Sequence, residues 1–429
     1  MTRIEYELIT DGPKIDRQSL LQRSFSPLTA GGIRQSMFTL ISAAIGGGIL
    51  CLPYVLSLVG VILGVGILTV ASVLAYISMR MLLLAAERQR IFSYGKLFSV
   101  SMNMRYAGPF LDVVTILFGQ GVVIAYFVFL GDFVPALGDA LGLSVSRTVS
   151  ILLCCCCAVP LIIPSRLSAL KYITPISTIS LIVTAMAVVY RTPSMVTASS
   201  GDIEYVMISR SLLKAFAIAV SSFICHTNVV AVAGELVYPT ERRADKIASR
   251  CASVQLFLYL VIAVCGYLSF SSGIEQNFLR GYPDDDSLIA SCRVLLSFTI
   301  FFGLPLNSNP AAKALVNLLQ SLRESKCDPL LPATPSNSDD PMRNVRIVGG
   351  TLVLVIGAIV SLKVPGIADV IGILGGSLGT LIMLVFPALI YQKVYRDEMH
   401  LFRNRFQVGL LLFAAAICFS SVVIAFLSV

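Results

Sequence analysis

Residues Ser42 to Tyr54 read S-A-A-I-G-G-G-I-L-C-L-P-Y, three consecutive glycines and a proline inside an apolar run long enough to cross a bilayer. Lipid offers no water to loose backbone groups, so an interrupted span survives only where the freed N–H and C=O groups face a cavity, a ligand or other protein. A helix from about Met37 to Ile45 and a second from Ile49 to Val59 would each cover roughly half of a ~30 Å hydrocarbon core. The gap then falls near the midplane. The second half-helix would turn its free amides and positive dipole end into that gap, toward an anion such as a carboxylate. Carbonyls at the end of the first half suit an ammonium group or a small cation. A glycine-rich seam for a neighbouring helix is the other reading, but three glycines in succession plus Pro53 exceed what close packing needs.

Of the 429 residues, 56% are hydrophobic and 13% charged, which excludes a soluble domain with one packed core. Apolar windows predict eleven spans, at 36–59, 62–85, 109–134, 147–164, 172–190, 212–235, 252–271, 288–306, 346–362, 367–390 and 407–428. With the N-terminus cytoplasmic, about two dozen basic residues fall inside, Arg88, Arg90, Lys96, Arg242, Arg243 and Lys246 among them. About five fall outside: Arg147, Arg191, Arg210, Arg280 and Lys363. That bias places the N-terminus in the cytoplasm and, after eleven spans, the C-terminus on the far side. Glu275 and the acidic run Asp284, Asp285 and Asp286 fall in an outer loop, in keeping with that orientation. The net charge of +8 is therefore a topology signal, with no pointer to nucleic acid.

Residues 1–34 form a polar N-terminal tail, with no cleavable signal peptide expected before the first span. Within it, Tyr6-Glu7-Leu8-Ile9 and Asp16 to Leu21 have the form of endosomal or vacuolar sorting signals. The eleven cysteines avoid the middles of outer loops, which argues against a structural disulfide. Cys154 to Cys157 lie consecutively in span 4, where a helix fans them around its axis and prevents convergence on a metal. No metal or cofactor is expected. Pro329, Pro332, Pro335 and Pro341 among Ser, Asn and Asp mark a cytoplasmic linker at 326–344.

If span 1 is broken inside an inverted-repeat transporter, its counterpart five spans later should be broken too. Span 6 carries Ser221-Ser222-Phe223-Ile224-Cys225-His226-Thr227-Asn228, a polar cluster at mid-depth. Such groups are costly in lipid unless they line a cavity or bond to neighbouring helices, and both readings stand for His226, Thr227 and Asn228.

At this point the chain resembles the amino acid/auxin permease family, a branch of the amino acid–polyamine–organocation superfamily. Gly46 to Leu50 with Leu52-Pro53-Tyr54 match its glycine-rich first span, and Phe223 to His226 match its Phe-x-Cys-His break. Gly119 to Asp132, Pro164 to Lys171, Asn277 to Asp286 and Gly372 to Pro387 follow in family order. The resemblance implies an all-α polytopic membrane protein of LeuT-like fold, two inverted five-helix repeats plus an eleventh span. The repeats would occupy 35–190 and 191–390, with 391–429 as a cytoplasmic loop and the last span. It also implies an amino acid substrate and alternating access. Carried onto matching positions, Gly46, Gly47, Gly48 and Ile49 would offer amides to its carboxylate. Ser42, Ala43, Phe223 and Ile224 would offer carbonyls to its ammonium. The expected location is the plasma membrane or a vacuolar or lysosomal membrane.

Sodium-coupled relatives carry Asn at the position of Ser42 and a hydroxyl residue near Gly303, so a proton-coupled or facilitative transporter is expected, with a sodium-coupled or cationic amino acid transporter, or a membrane amino-acid sensor, as the alternatives. Ser42, Ser297 and Thr299 are the oxygens left for a cation. His226 is the mid-depth side chain whose ordinary pKa suits a proton carrier, and a neutral hydrogen-bonding role fits it equally. Asp112 and Asp132 lie near opposite ends of span 3, with no carboxylate at its middle, so neutral amino acids are favoured over cationic ones. Tyr126 reads either as a substrate contact or as packing. Two histidines and no paired intramembrane carboxylates argue against an enzyme. A monomer in the bilayer, binding a small-molecule amino acid, is the expected assembly.

Overall fold

The computed structural model describes residues 29, 31–140, 142, 145–163, 173–198, 202–283, 285–324, 342–364 and 367–427. The two sorting-signal patterns, residues 326–341 of the proline-rich linker, the Pro164 to Lys171 stretch and Asp284 lie outside them, while the expected linker end at 343–344 is already the start of a helix.

All regular structure among these residues is helical. Span 1 is α1 (Ile33–Ala44), α2 (Gly47–Leu50) and α3 (Leu52–Val59). Next come α4 (Val61–Gln89), the short α5 (Tyr94–Met102), α6 (Ala107–Ala140), α7 (Arg147–Ala158) with a 3₁₀ turn at Val159–Ile162, and α8 (Ile173–Ala198). Span 6 is α9 (Ser211–Ser222) and α10 (His226–Glu235). Then follow α11 (Glu241–Phe270), α12 (Ser287–Glu324), α13 (Arg343–Ser361), α14 (Ile367–Leu374), α15 (Phe386–Val394) and α16 (Phe402–Leu427). Among the described residues, nine helical segments are long and apolar enough to cross a membrane. Together with split span 1 and the shorter apolar helix Arg147–Ile162, they occupy all eleven predicted positions.

Helix contacts repeat with an offset of five spans. Span 5 packs against spans 1, 7 and 8, and span 10 correspondingly packs against spans 6, 2 and 3. Spans 2 and 7 pair with each other, as do spans 3 and 8. Spans 4 and 9 reveal the same symmetry in hydrogen bonds. Arg147, opening α7, donates to the Val364 carbonyl just beyond α13 at 3.3 Å. Arg346, in the first turn of α13, donates to the carbonyls of Ile162 and Ile163, just beyond α7, at 2.9 and 2.8 Å. Each antiparallel partner thus satisfies the orphan carbonyls at the other's C-terminal end.

The two broken spans are tied together at both ends. Where α1 begins, the Val237 amide donates to Gly31 O at 3.0 Å. At the opposite end, the Val61 and Ile62 amides donate to Glu204 and Tyr205 carbonyls at 3.0 Å, and Met207 N donates to Val59 O at 2.7 Å. Gly60 permits that approach. Its φ is +85°, and a Cβ there would lie 2.6 Å from the Tyr205 carbonyl carbon.

Three elements depart from the sequence expectation. The second piece of span 1 starts at Gly47 rather than Ile49 and is jogged again at Cys51, because Pro53 has no N–H with which to continue the ladder. Span 8 runs unbroken from Ser287 to Glu324, well past the expected 306, and takes Asn307 and Asn309 into the bundle. Span 10 is wound as two π segments, Gly375–Gly379 and Leu381–Val385. There the Thr380 hydroxyl donates to Gly375 O at 2.7 Å, five residues back.

Candidate functional site

Both predicted breaks are present. In span 1 the helix stops at Ala44, Ile45 and Gly46 are extended, and helix resumes at Gly47. In span 6, Phe223 and Cys225 leave the helical conformation, and Phe223 N and Ile224 N fall back to carbonyls three residues away at 3.2 Å.

The breaks face each other closely. A Cβ on Gly48 would sit 2.7 Å from Ser222 Oγ and 3.1 Å from Ser222 Cα. A Cβ on Gly46 would sit 2.6 Å from the Tyr126 ring, and one on Gly303 would sit 3.1 Å from the same ring. The Tyr126 phenol therefore wedges between span 1 and span 8. Its hydroxyl donates to Ile45 O at 3.0 Å and accepts from Asn307 Nδ2 at 3.1 Å. One of the carbonyls freed by the first break is thereby occupied. Ile49 N is occupied too, by Gly46 O at 3.2 Å. The groups that the helix ends themselves leave open are the carbonyls of Ser42, Ala43 and Ala44 and the first amides of α2, at Gly47 and Gly48.

A cavity of about 50 Å³ lies between the breaks. At 10–15 Å³ per water it holds about four water-sized groups, similar to the ammonium, Cα and carboxylate of one amino acid. Ala43, Gly46, Gly48, Ser222 and Ile224 line it at the breaks. Phe118, Val122, Tyr126, Asn307, Ile371 and Leu374 close its other sides. Apart from hydroxyl and amide groups, that wall is apolar, and no charged side chain is among the described lining residues.

Other predicted residues lie elsewhere. His226 is fully buried but absent from this lining: its Nε2 lies 2.7 Å from Ser78 Oγ on span 2. Because the Ser78 hydroxyl donates to Leu74 O at 2.8 Å, the consistent arrangement has neutral His226 donating from Nε2 to Ser78. It braces span 6 on span 2. The Phe223 ring packs on Tyr259 with centroids 5.0 Å apart. Ser42, Ser297 and Thr299 do not line the cavity, and the hydroxyls of Ser297 and Thr299 donate to Arg293 O and Leu295 O at 2.7 and 3.0 Å.

A second cavity, of about 300 Å³, lies toward the face on which α1 begins, the N-face. Thr227 and Asn228 from the second break reach it, as do Ser93, Tyr94 and Gly95 of the α5 region, Asp112, Asn309, Lys313, Asn317 and Arg346. Asn228 donates to Leu306 O at 3.1 Å, which leaves its Oδ1 without a protein partner. Sequence reasoning missed Asn307, Asn309 and this vestibule, since span 8 was expected to end at 306.

The opposite face is latched. Asp286 caps α12 by accepting from the amides of Leu288 and Ile289 at 3.0 and 3.3 Å, and Arg191 Nη2 from span 5 donates to the same oxygen at 2.8 Å. Arg191 Nε lies 2.8 Å from the other oxygen. Burial works against the charge, but the Arg191 bond and the two amides prevail and hold the carboxyl below its ordinary value.

Comparison with known proteins adds the following. The family model described as "Transmembrane amino acid transporter protein" matches residues 29–429. "Putative amino acid transporter AAT1" of Toxoplasma gondii is 32% identical over 304 residues, 70% of this chain and 42% of its own length. This chain therefore spans less than half of that relative. The Plasmodium berghei protein of the same name is 27% identical, over 94% of this chain and 70% of its own. "Vacuolar amino acid transporter 6" of Saccharomyces cerevisiae is 26% identical, over 85% of this chain and 91% of its own. Among solved structures, Mhp1, a nucleobase-cation-symport-1 family transporter in a closed conformation, superposes with a TM-score of 0.59 at 12% identity, covering 91% of each chain. A manganese transporter of Eremococcus coleocola gives 0.55 at 12% identity, covering 91% of this chain and 86% of its own. These likenesses establish the fold, an all-α polytopic LeuT-like architecture.

Proposed function

The chain belongs to the transmembrane amino acid transporter family, and we propose that it carries neutral amino acids across a membrane by alternating access, without sodium. The observation that carries this reading is the cavity between two unwound segments, where main-chain dipoles meet a wall free of charged side chains among the described residues. Amides at Gly47 and Gly48 would take the substrate carboxylate, and the carbonyls of Ala43 and Ala44, which line the cavity, its ammonium. Phe118, Val122, Ile371 and Leu374 would receive the side chain. A cationic side chain would lose its water there with no carboxylate in return, a cost of at least ~2.5 kcal/mol. The Tyr126 ring against Gly303 supports a site without the sodium-binding hydroxyl, since that space is already filled.

The N-face is assigned to the cytoplasm from the arginine and lysine bias. The yeast relative's name and the N-terminal sequence patterns favour a vacuolar or lysosomal membrane. Purified protein in liposomes, offered tritiated L-leucine, L-alanine and L-arginine under imposed sodium or pH gradients, tests the proposal. Uptake of the neutral pair without sodium supports it, and sodium-dependent uptake or selective arginine uptake refutes it.

A further inference from the structure

The site cavity and the N-face vestibule differ in charge. Asp112, a turn and a half into α6, is 5% exposed and lines the vestibule beside Thr227 and Asn228 of the second break. It is the acidic side chain among the described lining residues of the two cavities. Its carboxylate lies directly on the α5 backbone, for a Cβ built on Gly95 would collide with both carboxyl oxygens. Asn317 of α12 lines the same vestibule and donates to Ser93 Oγ at 3.1 Å.

On α5, Tyr94 donates its hydroxyl to Ile382 O at 2.8 Å, and Lys96 is exposed. Lys313 of α12 and Arg346 of α13 share the vestibule wall, and Arg346 is bonded to the Ile162 and Ile163 carbonyls. On α10, His226 turns away to Ser78 and reaches neither cavity.

Resting on the transport reading, we propose that Asp112 takes up the coupling proton from the N-face vestibule and holds it while that vestibule closes. The step is one carboxylate plus one proton giving one carboxylic acid, with no other reactant. Closing α5 and span 8 over an ionised carboxylate would strip water from a full charge, whereas the neutral acid can be enclosed at a much smaller cost. Protonation is thereby linked to occlusion, which a proton-driven cycle requires.

The test uses the full chain in liposomes with tritiated L-leucine and an entrapped pH dye. Counterflow at equal pH on both sides needs no net proton movement, while accumulation under a pH gradient does. Asp112→Asn is expected to keep counterflow within about threefold of the unsubstituted chain and to lose at least tenfold in gradient-driven accumulation, together with its dye signal. Asp112→Glu should restore part of both. If Asp112→Asn lacks counterflow, recovery of counterflow without gradient response in Asp112→Ser supports the proposal, and absence of counterflow in every variant overturns it in favour of a structural carboxylate. Undiminished gradient-driven accumulation in Asp112→Asn overturns it, as does loss of accumulation in His226→Gln alone. Counterflow without gradient-driven accumulation in the unsubstituted chain overturns this inference and leaves transport standing. No counterflow in the unsubstituted chain overturns both.

Discussion

At the scale of single residues, Tyr126 joins three elements: it fills the space beside Gly46 and Gly303, bonds the first freed carbonyl at Ile45, and receives Asn307. Tyr126→Phe keeps the ring and removes both hydrogen bonds. Both bonds are made within the protein, so their loss lowers thermal stability by about 1–3 kcal/mol, and releasing the Ile45 carbonyl at the break raises the half-saturation concentration for substrate several-fold. Concentration-dependent uptake checks this, and an unchanged half-saturation value would confine Tyr126 to packing. Gly48 tests the meeting of the breaks. Gly48→Ala drives a methyl to 2.7 Å from Ser222 Oγ, and overpacking of this kind costs about 1–3 kcal/mol. Uptake should fall at least tenfold, and Ser222→Gly in the same chain should restore most of it. If the double variant is no better than Gly48→Ala, crowding against Ser222 is not the reason for the glycine.

The elements are held in register by polar groups at their ends, and Asp286 is the case in which pH reports on the junction. Its folded value is below its unfolded one, so its contribution is fully present above the ordinary aspartate value, about 3.9, and lost as pH falls through the folded value. The latch between spans 5 and 8 therefore stays ionised at pH 5. The difference in melting temperature between the unsubstituted chain and Asp286→Asn should be constant from pH 8 to 5 and shrink only below about pH 4. A difference that vanishes near pH 6 would assign the effect to another group. The same scale separates what was legible in the sequence from what was not. Gly46 to Gly48 and Phe223 to His226 announce their breaks because glycine and polar residues inside apolar runs have few other uses in lipid. The jog at Cys51 was hidden because its cause, Pro53, lies inside the signal already assigned to the first break. Asn307 and Asn309 read as the end of a span, since hydropathy registers their polarity and is blind to the Tyr126 oxygen that receives Asn307 and the Arg346 guanidinium that donates to Asn309. His226 was identified as a mid-depth polar residue, but its direction depends on Ser78, 148 positions away, which no local pattern encodes.

For the whole molecule, the decisive asymmetry is that one face is hollow and the other tied shut. The vestibule of about 300 Å³ reaches from the second break toward the N-face. Opposite it, the Tyr205 backbone covers Gly60, Met207 bonds Val59, and Arg191 holds Asp286. This is one end of an alternating cycle. Ties present in one end state and broken in the other set the balance between them, so removing 1–2 kcal/mol of such contacts shifts the population ratio by about 5- to 30-fold. Arg191→Met deletes the latch without touching the vestibule. Gln320→Cys, on the vestibule wall, gives the readout through a membrane-impermeant maleimide applied from the N-face, counted above the reaction of the unsubstituted chain. In the otherwise unsubstituted chain Gln320→Cys should label readily. Adding Arg191→Met should slow that labelling several-fold, because the molecule then spends more time with the vestibule closed. Equal labelling rates with and without the latch would mean that Arg191 and Asp286 fasten span 5 to span 8 in both end states, and the closed far face would then depend on the main-chain ties at Gly60 and Val59.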